Sequence, residues 1–121
     1  MMPRRSSRSL ICMHVKDHEL QGDELFPVYY QDSPNIGGHM EPEIAVVHYT
    51  GGSSAESSVQ WLCSPESRAS AHVVIDEEGA ITQLVTFNRV AWHAGQSRYQ
   101  DRVGVNSFGV GIELANPGYL D

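Results

Sequence analysis

The sequence predicts a mixed α/β fold: a central β-sheet with helix packed on it. Three observations carry that expectation. Ile44 to Tyr49 is a continuous apolar run with β-branched residues, which suits a strand buried on both faces. Ser53-Ser54-Ala55-Glu56 has the spacing of a capping box, and Val59, Leu62 and Cys63 recur at helical intervals behind it. Two further apolar runs, His72 to Asp76 and Ala80 to Val85, flank Glu77-Glu78-Gly79, a turn whose glycine suits a positive φ, and together they read as a β-hairpin.

In chain order, residues 1 to 43 differ in texture from residues 44 to 121. The first stretch is read as an N-terminal extension of short strands and a loop. It holds the apolar run Leu10 to Val15, the acidic polar segment Asp17 to Glu24, a second run Leu25 to Tyr30, and the turn signals of Ser33-Pro34-Asn35-Ile36-Gly37-Gly38. The strand from Ile44 stops at Gly51-Gly52, and the helix is ended by Pro65. Long loops are expected between Thr86 and Ser107. Phe108 to Leu114 is a last apolar strand, loosened by Gly109 and Gly111, where another backbone or a ligand comes close.

With 121 residues, 40% of them hydrophobic, the chain is sized for one compact domain. Its net charge of −7 argues against a nucleic-acid partner, since a phosphate-backbone binder needs a basic face. The one basic cluster, Arg4, Arg5 and Arg8, reads as a loose arm. The run Leu10 to Met13 is too short for a signal peptide's apolar region and no small-residue cleavage site follows, so a cytoplasmic location is the expectation, with an extracellular or periplasmic one as the alternative. No apolar run approaches the roughly 20 residues of a membrane span. Cys12 and Cys63 lack metal or redox spacing and are read as buried or free thiols.

The chemistry-bearing candidates are His48 at the end of one strand, His72 at the start of another, His93 in Ala91-Trp92-His93-Ala94-Gly95, and Glu113 near the end of an apolar strand. A carboxylate in so apolar a run must be paired, metal-bound or shifted in pKa, unless it sits at the strand end and faces water. Taken by themselves, three imidazoles and a carboxylate suggest a zinc hydrolase site, the rings holding the ion and the carboxylate taking the proton of its water. A histidine taken singly is more often a hydrogen-bonded core or surface residue than a ligand. A serine-nucleophile site has little behind it, since no Gly-x-Ser-x-Gly elbow occurs.

Four ordered segments carry a resemblance: Val46-Val47-His48-Tyr49-Thr50; Ser70 to Val85; Ala91 to Gly95; and Asn106-Ser107-Phe108-Gly109-Val110-Gly111-Ile112-Glu113-Leu114. Together they resemble the motifs of the zinc-dependent N-acetylmuramoyl-L-alanine amidases of type 2, a family that also embraces phage lysozyme-amidases and the peptidoglycan recognition proteins. The resemblance implies cleavage of the amide between N-acetylmuramic acid and L-alanine in peptidoglycan or muropeptides. It implies that His48 is a Zn2+ ligand and Glu113 the general base. Trp92, His93 and Asn106 become candidates for substrate binding, shaping the groove or ordering its loop, and His72 and His93 are displaced from the metal. Tyr49, beside the ligand, is read as core.

The family completes its zinc site with a further His and a Cys or Asp in a later Gly-His-x-Asp-Ile segment, which these residues do not contain. The expectation is therefore an amidase fold incomplete at the C-terminus, with residues 44 to 121 its N-terminal portion. Such a chain binds zinc poorly and is weakly active or inactive alone. Its alternative role is that of a non-catalytic peptidoglycan-binding or regulatory module.

Overall fold

A computed structural model of the chain describes residues 13–116 and residue 118. Arg4, Arg5, Arg8, the start of the Leu10 run and Cys12 lie outside the described residues. A central five-stranded sheet carries the fold, with strand order β3-β7-β6-β11-β5. These strands are β3 (Val28–Tyr30), β5 (Ile44–Tyr49), β6 (Val73–Ile75), β7 (Ile81–Gln83) and β11 (Gly109–Leu114). The sheet is mixed, as expected: β6 and β7 form the antiparallel hairpin, while β3 on β7, β6 on β11 and β11 on β5 pair parallel.

Local chemistry explains most of the elements. In the hairpin turn, Asp76 Oδ1 accepts from the amides of Glu78 and Ala80, and Gly79 takes φ 92°. Helix α1 (Ala55–Leu62) is capped one residue later than the Ser53…Glu56 pattern suggests: Ser54 is the N-cap and its hydroxyl accepts from Ser57 N–H. Pro65 opens a short 3-10 turn just beyond the helix, because proline cannot continue the hydrogen-bond ladder. Val59 of α1 packs with Val74, Leu84, Val85 and Ala91 to form the core cluster, joined by Leu62 and Cys63. Cys63 is a free, half-buried thiol.

Ile44 to Tyr49 is not buried on both faces. Among the described residues β5 is the sheet's edge strand, and its residues alternate. Ile44, Val46 and His48 are half-buried, whereas Ala45, Val47 and Tyr49 face solvent. Tyr49 is 64% exposed rather than core. An apolar β-branched run reports β-propensity but not whether a neighbour covers each face, which tertiary context decides.

Residues 13 to 43 hold more strand than the two runs suggest. β1 (His14–Lys16), at the end of the first apolar run, and β2 (Glu19–Gln21), in the acidic segment, form a hairpin, its turn made by Asp17 and His18 at φ 52° and 67°. β3 joins the central sheet through β7, and β4 (Ile36–His39) pairs antiparallel with β8 (Arg89–Ala91). Ser33 and Asn35 of the Ser33-Pro34-Asn35 turn are buried, and they close the end of α1. Ser33 Oγ donates to Leu62 O, and Asn35 Nδ2 lies 2.9 Å from both Ser64 O and Ala69 O. The segment 86–107 is more ordered than a plain loop: besides β8 it contains a small hairpin of β9 (Arg98–Tyr99) and β10 (Arg102–Val103) and a 3-10 turn over Val105–Ser107.

Candidate active site

The parallel pairing of β11 on β5 sets Glu113 beside His48 in register. Glu113 Oε2 stands 4.0 Å from His48 Nδ1. That is too long for a direct hydrogen bond and suits one bridging water. The strand alternation that sends both side chains to one face also sends Gly111 there, and the His93 ring lies directly over Gly111. A Cβ on Gly111 would come within 2.3 Å of His93 Cγ. The glycine is thus required by close approach, of a side chain rather than of the backbone or ligand expected there.

His93 joins its surroundings through both ring nitrogens: Nδ1 is 3.1 Å from His48 Nε2, and Nε2 is 2.9 Å from Gly109 O. The loop carrying it is tied down by Asn106, whose Oδ1 accepts from the amides of His93 and Ala94. Trp92 is anchored by its backbone to Ser70: Ser70 N–H donates to Trp92 O, and Trp92 N–H donates to Ser70 Oγ.

A cleft of about 460 Å³ opens beside these rings, between Val46 and His48 of β5 and His93, Arg98 and Tyr99 opposite. Glu113 stands next to His48, one strand further into the sheet. The ring of Trp92 is not part of the cleft lining. Arg98 and Tyr99 were missed in the sequence. A basic-aromatic pair in a segment bounded by Gly95 and Gly104 was the available signal, hidden because β9 and β10 are only two residues each. A second cleft, of about 400 Å³, lies between α1, β3 and the β6–β7 hairpin and has no histidine in its lining.

Burial sets the electrostatics. It pushes the Glu113 carboxyl up to about 7, so the group changes protonation near neutral pH and can take or give a proton there. The His48 and His93 imidazoles are held below their ordinary value, chiefly by burial, and His72 is pushed down to about 4 for the same reason. Near neutral pH, Glu113 and His48 are therefore not an ion pair.

A three-histidine metal site is overturned. His72 is fully buried, with Nδ1 accepting from Gly111 N–H at 3.0 Å and Nε2 donating to Arg89 O at 2.8 Å. Both its nitrogens and both of those on His93 are already engaged. Among the described residues no group of three or more His, Cys, Asp or Glu side chains is arranged to hold a metal ion. They do not fit the three-ligand shell of catalytic zinc.

Comparison with known proteins decides the family. Residues 38–121 match the sequence profile described as N-acetylmuramoyl-L-alanine amidase. The chain belongs to this amidase family. It is 53% identical over 49 residues to the 1,6-anhydro-N-acetylmuramyl-L-alanine amidase AmpD of Haemophilus influenzae, a match covering 40% of this chain and 27% of that protein. The AmpD of Escherichia coli K12 is 53% identical over 47 residues, covering 39% of this chain and 26% of the relative. Among solved structures, a selenomethionine AmpD superposes with TM-score 0.60 at 31% identity, covering 74% of this chain and 61% of its own. The E. coli amidase AmiD, solved in complex with anhydro-N-acetylmuramic acid-L-Ala-D-gamma-Glu-L-Lys, gives TM-score 0.55 at 28% identity and covers 73% and 34%. The chain thus spans about a quarter of the curated AmpD relatives and about three fifths of the solved AmpD. The mixed sheet with its helix is the amidase fold, present here in part.

Proposed function

We propose that this chain carries part of the hydrolytic centre of an N-acetylmuramoyl-L-alanine amidase acting on muropeptides released from peptidoglycan. The bond cleaved is the amide between the lactyl group of N-acetylmuramic acid and the L-alanine of the stem peptide. One observation carries the reading: a carboxyl titrating near 7 stands in register with an imidazole, 4.0 Å away, at the edge of a cleft. The names of the AmpD relatives and the muropeptide bound to AmiD support the substrate class. A recycled wall fragment is met inside the cell, so this reading carries a cytoplasmic location with it. No helix among the described residues is long and apolar enough to cross a membrane.

In this reading Glu113 is the general base. It takes a proton from the attacking water as the new C–O bond forms and passes it to the leaving amine of L-alanine as the C–N bond breaks. For this the water oxygen must come within about 2.6 to 3.2 Å of the carboxylate. His93 forms a wall of the cleft, Asn106 orders its loop, and Trp92 opens that loop. Zinc belongs to the reading as the family's metal, lowering the pKa of a bound water to about 7. His48 would be its ligand in this reading, and no step is routed through the ion here.

A second reading, a muropeptide-binding module without turnover, is favoured by the absence of a three-ligand metal group among the described residues. The test is incubation with 1,6-anhydro-N-acetylmuramyl tripeptide and mass spectrometry of released L-alanyl peptide. Slow release that Glu113→Gln abolishes is the expected result. Release undiminished in that variant overturns the role of Glu113. Calorimetric binding of the intact tripeptide with no release selects the binding module.

A further inference from the structure

The contacts of His93 fix more than the wall of the cleft. Gly109 O is a carbonyl and can only accept, so the His93 nitrogen 2.9 Å from it, Nε2, carries the hydrogen. In a neutral ring Nδ1 is then bare and accepts. The atom facing it at 3.1 Å is His48 Nε2, which must therefore be the donor. The hydrogen on His48 is thereby committed to Nε2, and its Nδ1 lone pair is left on the side of Glu113, 4.0 Å from Oε2. We propose that His93 is a positioning residue that sets the tautomer of His48 through this Gly109–His93–His48 hydrogen-bond chain.

The surroundings hold the chain in one arrangement. His93 cannot slide inward, because its ring already sits against the bare Cα of Gly111, where a Cβ would come 2.3 Å from Cγ. Its backbone cannot swing away without breaking the hydrogen bonds that the His93 and Ala94 amides donate to Asn106 Oδ1, at 3.1 and 2.8 Å. The His48 and His93 rings meet edge to face, 72° apart with centroids at 5.2 Å. His72 cannot replace His93 in this role, since its own nitrogens are engaged by Gly111 and Arg89. Which nitrogen of a histidine is bare is set by the bond the other one makes, and that choice decides what the ring can do toward a water, a proton or an ion.

This inference deepens the proposed function, because the bare nitrogen is the one on Glu113's side, and its test does not require turnover. The experiment is 15N NMR of the imidazoles in the uniformly labelled chain, above neutral pH. Both rings should show the Nε2–H tautomer, with a scalar coupling across the hydrogen bond between His48 Nε2 and His93 Nδ1. In His93→Leu the coupling is lost, and the His48 nitrogens move toward the averaged shifts of a ring exchanging between tautomers. His93→Gln, whose side-chain oxygen accepts from His48, restores the single tautomer. His48 protonated at Nδ1 in the wild type overturns the proposal, as does an unchanged His48 tautomer in a folded His93→Leu variant. The wild-type spectrum decides the matter even where a variant fails to fold. An inactive chain with the expected tautomers removes the amidase reading and leaves this one standing.

Discussion

Glu113 and His48 face each other across the parallel β11–β5 pair, Oε2 to Nδ1 at 4.0 Å, with no hydrogen bond between them. Burial raises the Glu113 pKa from 4.5 to about 7 in the folded chain. Between those values the folded state binds more protons at this group than the unfolded one, so Glu113's contribution to stability is highest below 4.5 and is lost as pH rises through 7. Glu113→Gln removes the charge that is buried at a penalty. The variant should match the wild type near pH 4.5 and exceed it at pH 8.5 by roughly 1–3 kcal/mol, after allowance for partial exposure. Urea denaturation at the two pH values checks this. An equal difference at both would show that burial does not penalise the carboxylate.

His72 acts in the opposite sense. Its pKa is pushed from 6.5 to about 4, first by burial and also by His93, against the hydrogen bond to Arg89 O. The unfolded chain therefore takes up a proton that the folded chain refuses. The stability tied to the neutral ring is complete above 6.5 and lost as pH falls through 4. In His72→Leu the slope of stability over that window should flatten by up to about 1.4 kcal/mol per pH unit. The same variant leaves Gly111 N–H and Arg89 O without partners, at about 2–4 kcal/mol near pH 7.5. Denaturation curves from pH 4 to 7.5 separate the two effects. An unchanged slope would mean that His72 is not neutral in the fold.

The runs that carry His48 and Glu113 were legible as strands, and the family resemblance, by giving the two residues one site, required those strands to be neighbours. The glycine at 111 was legible too, since a strand interior gains nothing from a missing side chain unless something lies against it. The face burial of β5 was not legible: Val47 and Tyr49 carry the same β-propensity whether or not anything covers them. The fate of His72 was hidden as well, because its partners are backbone groups of Gly111 and Arg89, distant in sequence and without residue-type signature. Asp17 to Gln21 look merely polar, since a three-residue strand is too short to show a period and the turn relies on positive φ at Asp17 and His18 rather than on glycine.

Gly111→Ala tests the close approach over β11. The added methyl would overlap the His93 ring, with contacts of 2.3 to 2.8 Å to Cγ, Cδ2 and Cβ. The ring is held by Gly109 and its loop by Asn106, so relief requires breaking those bonds or shifting the strand. A loss of about 2–4 kcal/mol is expected, with disappearance of the His48–His93 hydrogen bond. Thermal melting and the imidazole NMR spectrum read the two consequences. A variant as stable as the wild type would show that His93 is free to move.

Asn35→Ala tests the closure of α1. Asn35 is buried, and its amide nitrogen lies 2.9 Å from Ser64 O and Ala69 O and 3.1 Å from Ser67 Oγ. Alanine leaves those acceptors without this donor, where water has little access. The expected loss is about 1–3 kcal/mol, visible as a lowered melting temperature without change in the shape of the transition. An unshifted melt would mean that water replaces the amide and that the turn carries no stabilising role.

Zinc binding by the 121-residue chain tests how the ring nitrogens are allotted. Catalytic zinc takes three protein ligands. Recruiting His72 breaks its bonds to Gly111 N–H and Arg89 O, and recruiting His93 breaks its bond to Gly109 O or to His48. Each of those backbone partners would then be left buried and unpaired, so weak coordination cannot offset the loss. His48 Nδ1 alone makes a poor site. The chain should lose added zinc on dialysis, and zinc should shift its melting temperature little, because stabilisation by a ligand grows as RT ln(1 + [L]/Kd). Elemental analysis after dialysis, with melting curves at rising zinc, gives the answer. One tightly held zinc per chain, accompanied by altered NMR signals of His72 or His93, would mean that these rings trade their backbone hydrogen bonds for metal and would restore the three-histidine site.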